Sequence, residues 1–328
     1  MYVVTGGTGF IGSNLLAVME SRGLGPLAAI DRCENEHKRR NIAKRSLAHL
    51  VPPEQTLAFL YDHLKEISAV IHLGALTSTT ETDVERLHET NVLLSRALWH
   101  WCARAEVPFI YASSAATYGD GGAGFDDAGT PEALARFRPL NPYGQSKHDF
   151  DLWVADQWTR ARAVPPQWAG LKFFNVYGPN EFHKGAQSSL VPQVYAAAAK
   201  EQAFKLFRSH NPAYPDGGQL RDFVFVDDCC DVILWLLENP AVSGLFNLGT
   251  GQPRTFLDLA QAVYRAAGRE PQIAFRDTPP ELRAQYQYFT QAKMDRLRRV
   301  GYTTAFTPLE IGVTETVTTY LSQPDPYR

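Results

Sequence analysis

The residues of this chain best suited to proton chemistry are a tyrosine and a lysine four positions apart, Tyr143 and Lys147. On a helix, this spacing places both side chains on one face, one turn apart. An ammonium beside a phenol favours the phenolate, so the tyrosine could exchange a proton near neutral pH. Because the same spacing is common on ordinary helix surfaces, the pair needs support from the elements that would position it.

A glycine-rich turn near the start of the chain predicts a dinucleotide site. The sequence Gly-Gly-Thr-Gly-Phe-Ile-Gly at residues 6–12 follows a β-prone run and precedes a helical pattern. Glycines at this spacing allow a tight turn and a close approach of the backbone to a pyrophosphate, which faces the helix N-terminus. A second β-prone run ends in Asp31, about 20 residues further on, where a carboxylate accepts hydrogen bonds from the adenosine ribose. The predicted cofactor contacts of this loop are Gly6, Gly9, Phe10, Ile11 and Gly12.

The residues after the second strand leave the choice between NAD and NADP open. Asp31 alone favours NAD, because it would bind the free ribose hydroxyls. Arg32 follows it, however, and Lys38, Arg39 and Arg40 form a basic cluster that can pair with a 2′-phosphate. The cluster could equally be a solvated helix face. We predict tightly bound NADP, with NAD as the alternative, and contacts from Asp31, Arg32 and Lys38.

A third buried-type run, residues 69–75, ends in small residues that let a cofactor pass close to the end of a strand. The predicted cofactor contacts at this point are Leu73, Gly74 and Ala75. His72 lies inside the run, and such a position is more typical of a hydrogen-bonded core histidine than of a ligand. Asn91, on the helix predicted at about 83–105, is expected to bond backbone rather than take part in the chemistry.

A serine completes a possible catalytic set. Ser114 follows the strand predicted at residues 107–112, so it would stand at the carboxyl end of a central parallel strand, in the crevice where such folds bind ligands. Ser114, Tyr143 and Lys147 thus come in chain order behind a dinucleotide motif. This combination resembles the extended short-chain dehydrogenase/reductase family over nearly the whole chain. Later markers of the same family are Phe-Phe-Asn-Val-Tyr-Gly-Pro from residue 173, Arg-Asp-Phe from 221 and Phe-Asn-Leu-Gly from 246.

The resemblance implies an α/β protein with a Rossmann-type doubly wound parallel sheet and a smaller α/β substrate-binding domain. The dinucleotide-binding domain would comprise residues 1–170 and about 220–243. The substrate-binding domain would comprise about 171–219 and 244–328.

The resemblance also implies roles for the catalytic set. Ser114 would hydrogen-bond the reacting oxygen, and Tyr143 would take or give the hydroxyl proton as hydride moves to or from a nicotinamide. Lys147 would hold the cofactor ribose and lower the pKa of the tyrosine.

Residues 181–185, Glu-Phe-His-Lys-Gly, resemble one branch of this family, the ADP-L-glycero-D-manno-heptose 6-epimerases. In that branch the lysine, Lys184 in this sequence, is a second acid/base facing the tyrosine. An enzyme that removes hydride from one face of a carbon and returns it to the other needs a proton partner in each of two poses. The implied activity is inversion of C6 of ADP-D-glycero-D-manno-heptose through a transient 6-keto intermediate, in lipopolysaccharide inner-core heptose biosynthesis.

The remaining contacts also follow from the resemblance. Predicted cofactor contacts are completed by Asn91, Tyr143, Lys147, Val176 and Lys184. Predicted substrate contacts, which include part of the hydroxyl-rich stretch from Thr77 to Thr80, are Ser78, Thr79, Ser114, Asn175, Gln193, Phe207, Arg221 and Tyr286. Arg221 offers a fork of donors suited to a diphosphate. The chain departs from the family pattern at Leu73 and Leu76, at Pro53, where a lysine near the 2′-phosphate is usual, and at Ala186, where a serine is usual.

Other functions remain open at this stage. A nucleotide-sugar 4-epimerase would need no lysine at position 184. A 4,6-dehydratase normally needs an Asp-Glu pair after the strand-end serine or threonine, where this chain has Ala115 and Ala116. A cofactor-sensing binding protein without turnover would have no need of the Ser-Tyr-Lys set.

The bulk composition excludes several classes of protein. The 328 residues carry a net charge of -3, which gives no basic field for nucleic acid or membrane. No apolar run approaches the ~18 residues that span a bilayer, and the first residues lack a signal-peptide pattern. Four cysteines fit neither a disulfide framework nor a metal site, so we expect reduced thiols, no metal and a cytoplasmic location. The family suggests a homo-oligomer, and the helices predicted at 83–105 and 143–162 are the candidate interface because of their tryptophans, Trp99, Trp101, Trp153 and Trp158.

Overall fold

The computed structural model of the chain describes residues 1–79, 81–283 and 286–328. Thr80, the last residue of the predicted hydroxyl-rich stretch, lies outside them. The strands are β1 (Tyr2–Thr5), β2 (Leu27–Ile30), β3 (His49–Val51), β4 (Ala69–His72), β5 (Phe109–Ser114), β6 (Trp168–Phe173), β7 (Asn175–Tyr177), β8 (Phe204–Phe207), β9 (Leu220–Arg221), β10 (Phe223–Phe225), β11 (Gly244–Leu248), β12 (Arg254–Thr255) and β13 (Ile273–Arg276).

The helices alternate with the strands through the first half of the chain, as expected of a parallel sheet. They are α1 (Phe10–Ser21), α2 (Glu36–Ile42), α3 (Thr56–Asp62), α4 (Val84–Leu87), α5 (Leu94–Ala105), α6 (Pro131–Leu134), α7 (Pro142–Thr159), α8 (Leu190–Ala198), α9 (Val226–Glu238), α10 (Phe256–Ala266), α11 (Pro280–Arg283), α12 (Asp295–Arg299) and α13 (Leu309–Glu315). In the described part of the chain, no helix has the length and apolar character needed to cross a membrane.

The central sheet has seven parallel strands in the order β3-β2-β1-β4-β5-β6-β11. The chain builds outward from β1 in both directions, so the strand order reverses between β1 and β4. Ligands of such sheets bind in the crevice at the carboxyl ends of the strands at this switch point. The predicted fold class is therefore confirmed, and the glycine-rich turn after β1 lies at the switch point.

Helices cover both faces of the sheet, which explains why its strands are continuous apolar runs. One face packs against α1 and α9 through buried residues such as Leu15, Leu16 and Ile233. The other face packs against α5 and α7, and its core includes Trp99 and Trp101. These two tryptophans are therefore not available to a subunit interface, because they are 0% and 3% exposed within their own chain. Burial in the core of the chain itself corrects that part of the interface prediction.

The rest of the chain forms a smaller region with three two-stranded sheets, which pair β7 with β10, β9 with β12 and β8 with β13. Its core is made by α8, α10 and α13, with buried side chains such as Val194, Val263 and Val313. Strand β11, which the sequence placed in the second domain, is an edge strand of the central sheet. The two-domain division itself stays a prediction.

The local elements differ from expectation at a few points. The helix predicted at 83–105 contains a wide π-helical turn, His88–Leu93, between α4 and α5. Strand β3 was not predicted, because it is short and is followed directly by two prolines. Helix α7 ends at Thr159 rather than at about residue 162.

Candidate active site

The glycine-rich turn is shaped so that side chains would block it. Gly6 has a φ of +68°, which glycine adopts without strain. A Cβ atom on Gly12 would lie 2.2 Å from the Gly6 carbonyl oxygen, and one on Gly6 would lie 2.7 Å from the Gly74 nitrogen. The turn therefore brings bare backbone to the start of α1, where Phe10 and Ile11 form the first residues of the helix. This arrangement fits the pyrophosphate of a dinucleotide.

Asp31 follows β2 and is largely occupied by protein donors. Its carboxylate accepts hydrogen bonds from the Thr8 backbone at 3.1 Å and the Thr8 hydroxyl at 2.7 Å, and from Lys38 Nζ at 2.9 Å. Arg32 lies further out and pairs with Glu54 and, at 3.7 Å, with Glu34.

Only part of the predicted basic cluster is directed at this pocket. Arg39 donates to the carbonyls of Cys33 and Glu34 at 3.0 and 3.2 Å. Arg40 pairs with Asp325 at 3.0 Å and stacks over the Tyr327 ring. Arg39 therefore fixes the backbone before α2, and Arg40 joins α2 to the residues around Tyr327. Lys38 is the member of the cluster that contacts Asp31.

The end of β4 is tied to the end of β1. The backbone nitrogens of Leu73 and Gly74 donate to the Thr5 carbonyl and hydroxyl at 3.1 and 3.0 Å. His72 contacts the Thr5 hydroxyl at 2.7 Å and the Ser95 hydroxyl at 2.9 Å. Burial lowers its pKa to about 3, so it is neutral. The prediction of a satisfied core histidine is confirmed.

Asn91 holds the loop that follows β4. Its side-chain oxygen accepts from the Leu76 nitrogen at 2.9 Å, and its amide donates to the Leu76 carbonyl at 2.9 Å and to the Ser146 hydroxyl at 3.0 Å. The expected backbone bonding is confirmed. Because Ser146 lies on α7, Asn91 joins the loop after β4 to the helix that carries Tyr143.

Ser114, Tyr143 and Lys147 converge at the carboxyl end of β5. Asn141 caps α7 by accepting from the Gly144 nitrogen at 2.8 Å, which sets Tyr143 in the first turn of the helix. The Ser114 hydroxyl acts on the pKa of Tyr143 as a hydrogen-bonding neighbour, so the two side chains lie close together. Lys147, 4% exposed, donates to the Ala112 carbonyl at 2.9 Å. The predicted set is therefore close together, on a strand end and one helix face.

The electrostatics of the set differ from the predicted pattern. Burial raises the pKa of Tyr143, the hydrogen bond with Ser114 acts to lower it, and the charge of Asp151 adds to the rise. Burial lowers the pKa of Lys147 to about 8, while Asp151 acts to raise it. The predicted lowering of the tyrosine pKa is therefore outweighed in this structure, because desolvation of the phenol exceeds the favourable contacts.

A buried ion pair, which sequence reasoning missed, lies behind this set. Asp151 on α7 and Lys172 on β6 are 2.6 Å apart, and both side chains are 0% exposed. Asp151 also accepts from the hydroxyls of Ser113 at 2.6 Å and Tyr111 at 3.1 Å. Lys172 also donates to the Thr117 hydroxyl at 2.7 Å. The available signal was a lysine inside the apolar run that forms β6.

Lys184 lies beside the glycine-rich turn. It belongs to a 3₁₀ turn, Phe182–Gln187, and its Nζ is 2.9 Å from Glu181 Oε2 and 4.8 Å from the centre of the Phe10 ring. This contact agrees with a position at the cofactor. That Lys184 faces Tyr143 across a substrate stays a prediction.

Arg221 forms the centre of a second polar site. It is 7% exposed, and its guanidinium lies over the rings of Phe256 at 5.4 Å and Tyr286 at 5.6 Å. It donates to the carbonyls of Leu220 and Gln287. Burial lowers its pKa to about 10, and within the described ranges it forms no ion pair with a carboxylate. A buried cation without a carboxylate partner is suited to bind a phosphate group.

The remaining predicted contacts lie on several different loops and strands. The Gln187 amide donates to the Ser78 hydroxyl at 2.8 Å, which joins the loop after β4 to the Lys184 turn. The amide of Gln193 is bound to the Ser188 carbonyl at 2.9 Å. Three further predicted contacts lie on β7, on β8 and in the loop after β4. Their side chains are exposed or half-buried: Asn175, Phe207 and Thr79. Val176 is half-buried on β7, and Ala75 is half-buried after β4.

A doubly wound sheet with a glycine-rich turn at its switch point, and a Ser-Tyr-Lys set in the same crevice, defines a nicotinamide-dependent enzyme of the dehydrogenase type. The chain belongs to the NAD dependent epimerase/dehydratase family, whose sequence profile matches residues 2–249. The resemblance to extended short-chain dehydrogenases/reductases is confirmed, and the cofactor is a nicotinamide dinucleotide.

Two full-length relatives have the same name. ADP-L-glycero-D-manno-heptose-6-epimerase of Nitratidesulfovibrio vulgaris (strain DP4) is 46% identical over 329 residues, which cover 100% of both chains. The enzyme of that name from Fusobacterium nucleatum is 41% identical over 335 residues, again with 100% of both chains covered. The resemblance to this branch of the family is therefore confirmed.

Solved structures agree on the fold. The Helicobacter pylori ADP-L-glycero-D-manno-heptose-6-epimerase superposes with a TM-score of 0.77 at 24% identity, covering 96% of this chain and 94% of that one. The UDP-N-acetylglucosamine 4-epimerase of Methanobrevibacter ruminantium superposes with a TM-score of 0.79 at 23% identity, covering 98% of both chains. At this identity the two structures show a shared fold and do not separate 6- from 4-epimerisation.

Proposed function

We propose that this chain inverts C6 of ADP-D-glycero-D-manno-heptose through a transient 6-keto intermediate, in lipopolysaccharide inner-core heptose biosynthesis. The observation that carries the proposal is a second proton-carrying group, Lys184, beside the glycine-rich turn in a chain that also has the Ser114–Tyr143 contact. The names of the two full-length relatives support the same substrate.

A bound nicotinamide would supply a hydride acceptor and donor at the carbon that is inverted. Tyr143 would exchange the proton of the C6 hydroxyl in one pose, with Ser114 hydrogen-bonded to the same oxygen. Lys184 would exchange it in the other pose, after the ketone has turned over. Lys147, which binds the Ala112 carbonyl at 2.9 Å, would keep an ammonium next to the cofactor ribose.

The nucleotide half of the substrate would bind at Arg221. The buried guanidinium would pair with the diphosphate, and an aromatic group beside it would contact the base. In this group the ring centres of Tyr286 and Tyr288 are 5.3 Å apart, and His210 lies 5.0 Å from Tyr288. Flat aromatic side chains of this kind provide stacking surfaces for a base.

We also propose NADP as the preferred cofactor, with NAD as the alternative. Asp31 is already bound by Thr8 and Lys38, which leaves it less free to accept from ribose hydroxyls. Arg32 and Lys38 would supply the positive charge for a 2′-phosphate. Because Glu54 pairs with Arg32, this preference should be modest. Arg32→Ala should lower the affinity for NADP more than for NAD, while Arg22→Ala, at an exposed pair with Asp231, should change neither. Equal losses for both cofactors would contradict the assignment.

The proposed activity is tested with ADP-D-glycero-D-manno-heptose and a readout sensitive to the configuration at C6. Tyr143→Phe and Lys184→Met should each abolish most turnover while the protein still binds the cofactor. Matched controls are Tyr61→Phe and Lys65→Met, two exposed side chains on or next to α3, which should behave like the parent. Near-normal turnover of Lys184→Met would refute the mechanism with two proton-carrying groups. Turnover of a 4-epimerase substrate, without turnover of the heptose, would favour a 4-epimerase.

A dehydratase is disfavoured by the turn after Ser114. Ala115 and Ala116 begin the 3₁₀ turn Ala115–Tyr118, so an acidic pair is missing from the place where a dehydratase needs it. A homo-oligomer and a cytoplasmic location remain proposals from the family. Trp158, 52% exposed on α7, is the tryptophan best placed for a subunit contact.

A further inference from the structure

Glu181 is a buried carboxylate with no role in the mechanism described so far. It stands directly before the 3₁₀ turn that carries Lys184 and is 2% exposed. A carboxylate can be buried at this level only if donors compensate its charge. Glu181 has three donors: Lys184 Nζ at 2.9 Å, the Ser189 nitrogen at 2.7 Å and the Ser189 hydroxyl at 2.6 Å.

The turn fixes the backbone of Lys184, whose nitrogen donates to the Glu181 carbonyl at 2.9 Å, but it does not fix the side chain. Gly185 follows with a φ of +53°, and a Cβ placed on it would meet no atom within 4 Å. The backbone just after the lysine therefore faces open space at this point. A lysine side chain on such a turn has many rotamers, so an external contact must select one.

Glu181 supplies that contact. The ammonium of Lys184 lies between Glu181 Oε2 and the ring of Phe10, and the lysine side chain is 26% exposed. The ammonium is thus not fully enclosed by these two partners.

The other charged groups near the turn do not replace the carboxylate. They are His183 on the same turn, with Lys38 and Asp31 from the neighbouring cofactor pocket. Burial and the charges of Lys38 and Lys184 lower the pKa of His183 to about 4, so it is neutral at physiological pH. Asp31 is itself bound by Lys38 at 2.9 Å. Within the described part of the chain, Glu181 is the carboxylate that contacts Lys184.

We propose that Glu181 is a positioning residue for the reaction: it holds the Lys184 ammonium, through Oε2, at the edge of the cofactor crevice. The inference rests on the proposed function of Lys184. Through its bonds to Ser189, which precedes α8, the same carboxylate anchors the turn to the substrate-binding region.

The two roles of Glu181 can be separated, because each uses different partners. Glu181→Gln removes the charge that attracts Lys184 but keeps a carbonyl oxygen that can accept from Ser189. Ser189→Ala removes one bond of the structural anchor and leaves the ion pair intact. Glu201→Gln is a control for the loss of a carboxylate paired with an arginine, Arg269, because both side chains are exposed and the pair lies beyond the C-terminal end of α8.

The test measures kcat and KM for the sugar nucleotide, and cofactor affinity, in the full-length protein. Glu181→Gln should lower kcat about 10- to 100-fold with KM and cofactor affinity near those of the parent, since a misplaced catalytic group costs up to about 100-fold. Glu181→Asp, which keeps the charge but is one methylene shorter, should lose less. Ser189→Ala and Glu201→Gln should keep kcat within about twofold of the parent, because they leave the ion pair in place.

A double variant identifies the route of the effect. If Glu181 acts through Lys184, then Glu181→Gln with Lys184→Met should have the same kcat as Lys184→Met alone. A parent-like kcat for Glu181→Gln, an equal loss in Ser189→Ala, or additive losses in the double variant would each overturn the inference. Should Glu181→Gln fail to fold, Glu181→Asp is compared with Ser189→Ala, and an equal kcat overturns the inference. Near-normal turnover of Lys184→Met would instead refute the proposed function, so the two failures are distinguishable.

Discussion

The buried ion pair behind the catalytic set permits a quantitative test. Asp151→Asn removes one charge of a pair whose atoms are 2.6 Å apart and whose side chains are 0% exposed. Ser113 and Tyr111 bond different carboxylate oxygens, so the asparagine oxygen can still accept from one of them. The main loss is the charge that compensates Lys172. Removing one partner of a buried pair destabilises a protein by about 3–5 kcal/mol, because the other charge is left uncompensated. We expect this loss in the free energy of unfolding.

The double variant should recover most of that loss. With Lys172→Met added, no buried charge remains, and replacing a buried pair by apolar groups is often neutral or stabilising by about 1–4 kcal/mol. We expect the double variant to lie within about 2 kcal/mol of the parent in urea unfolding, far from the sum of the single losses. Two hydrogen bonds account for the remaining difference at about 1 kcal/mol each: the bond from Lys172 to Thr117, and one of the two hydroxyl bonds to the former carboxylate.

The same helix offers a matched control. Asp156 lies on α7, and Arg160 is the C-terminal cap of that helix. The two side chains are also 2.6 Å apart, but they are 35% and 63% exposed. Exposed pairs contribute about 0–1 kcal/mol, so Asp156→Asn should change stability little. A loss below about 1 kcal/mol for Asp151→Asn, or a double variant as unstable as the sum of the single ones, would show that burial of this pair does not govern its energetics.

Three further outcomes follow from other parts of the structure. Gly12→Ala should lower cofactor affinity in a fluorescence titration without unfolding the chain, because the added Cβ would lie 2.2 Å from the Gly6 carbonyl oxygen. Unchanged affinity would contradict the assignment of the glycine-rich turn to the pyrophosphate. Asp228, which is bound to Thr307, has a pKa raised by burial to about 6. Between about pH 4 and 6 the Asp228 carboxyl is therefore protonated in the native state and ionised in the unfolded state, so the free energy of unfolding falls as pH rises. Relative to Asp228→Asn, the parent should lose up to about 3 kcal/mol between pH 4 and 7, measured by urea unfolding at each pH; a constant difference would contradict this. Tyr327→Ala should destabilise the chain by about 3 kcal/mol, since the Tyr327 ring is 3% exposed and packs near Arg40. A loss below about 1 kcal/mol would show that the residues around Tyr327 are not anchored to α2 by this ring.

The central sheet and the cofactor turn could be predicted because their signals are local. Parallel strands covered on both faces are apolar runs, and a glycine spacing is visible without knowing any partner. His72 could be predicted for the same reason, since one polar residue in an apolar run must find its hydrogen bonds nearby. Strand β3 was missed because three residues before two prolines carry too weak a pattern.

The support behind the site could not be predicted, because it depends on contacts between distant segments. Asp151 and Lys172 are 21 positions apart on a helix and a strand, and their pairing follows from the packing of α7 on the sheet. Glu181 is close to Lys184 in sequence, yet only the structure shows that it is buried and bound to Ser189. The tryptophans of α5 were assigned to an interface because apolar residues on a helix do not reveal whether they face the chain's own core or a partner.

The two proton-carrying groups of the proposed mechanism are held in different ways. Tyr143 lies on an 18-residue helix that is capped by Asn141 and fixed to the sheet by the buried Asp151 network. Lys184 lies on a short turn next to Gly185, which faces open space. Its ammonium is held mainly by one carboxylate, Glu181. An inverting enzyme must let a ketone turn over without releasing it, so one wall of the site should be rigid and the other should adjust. The side of the site that carries Tyr143 is the fixed one, and substitutions in the buried Asp151 network that supports it should act mainly on stability. Substitutions around Lys184 should act mainly on turnover.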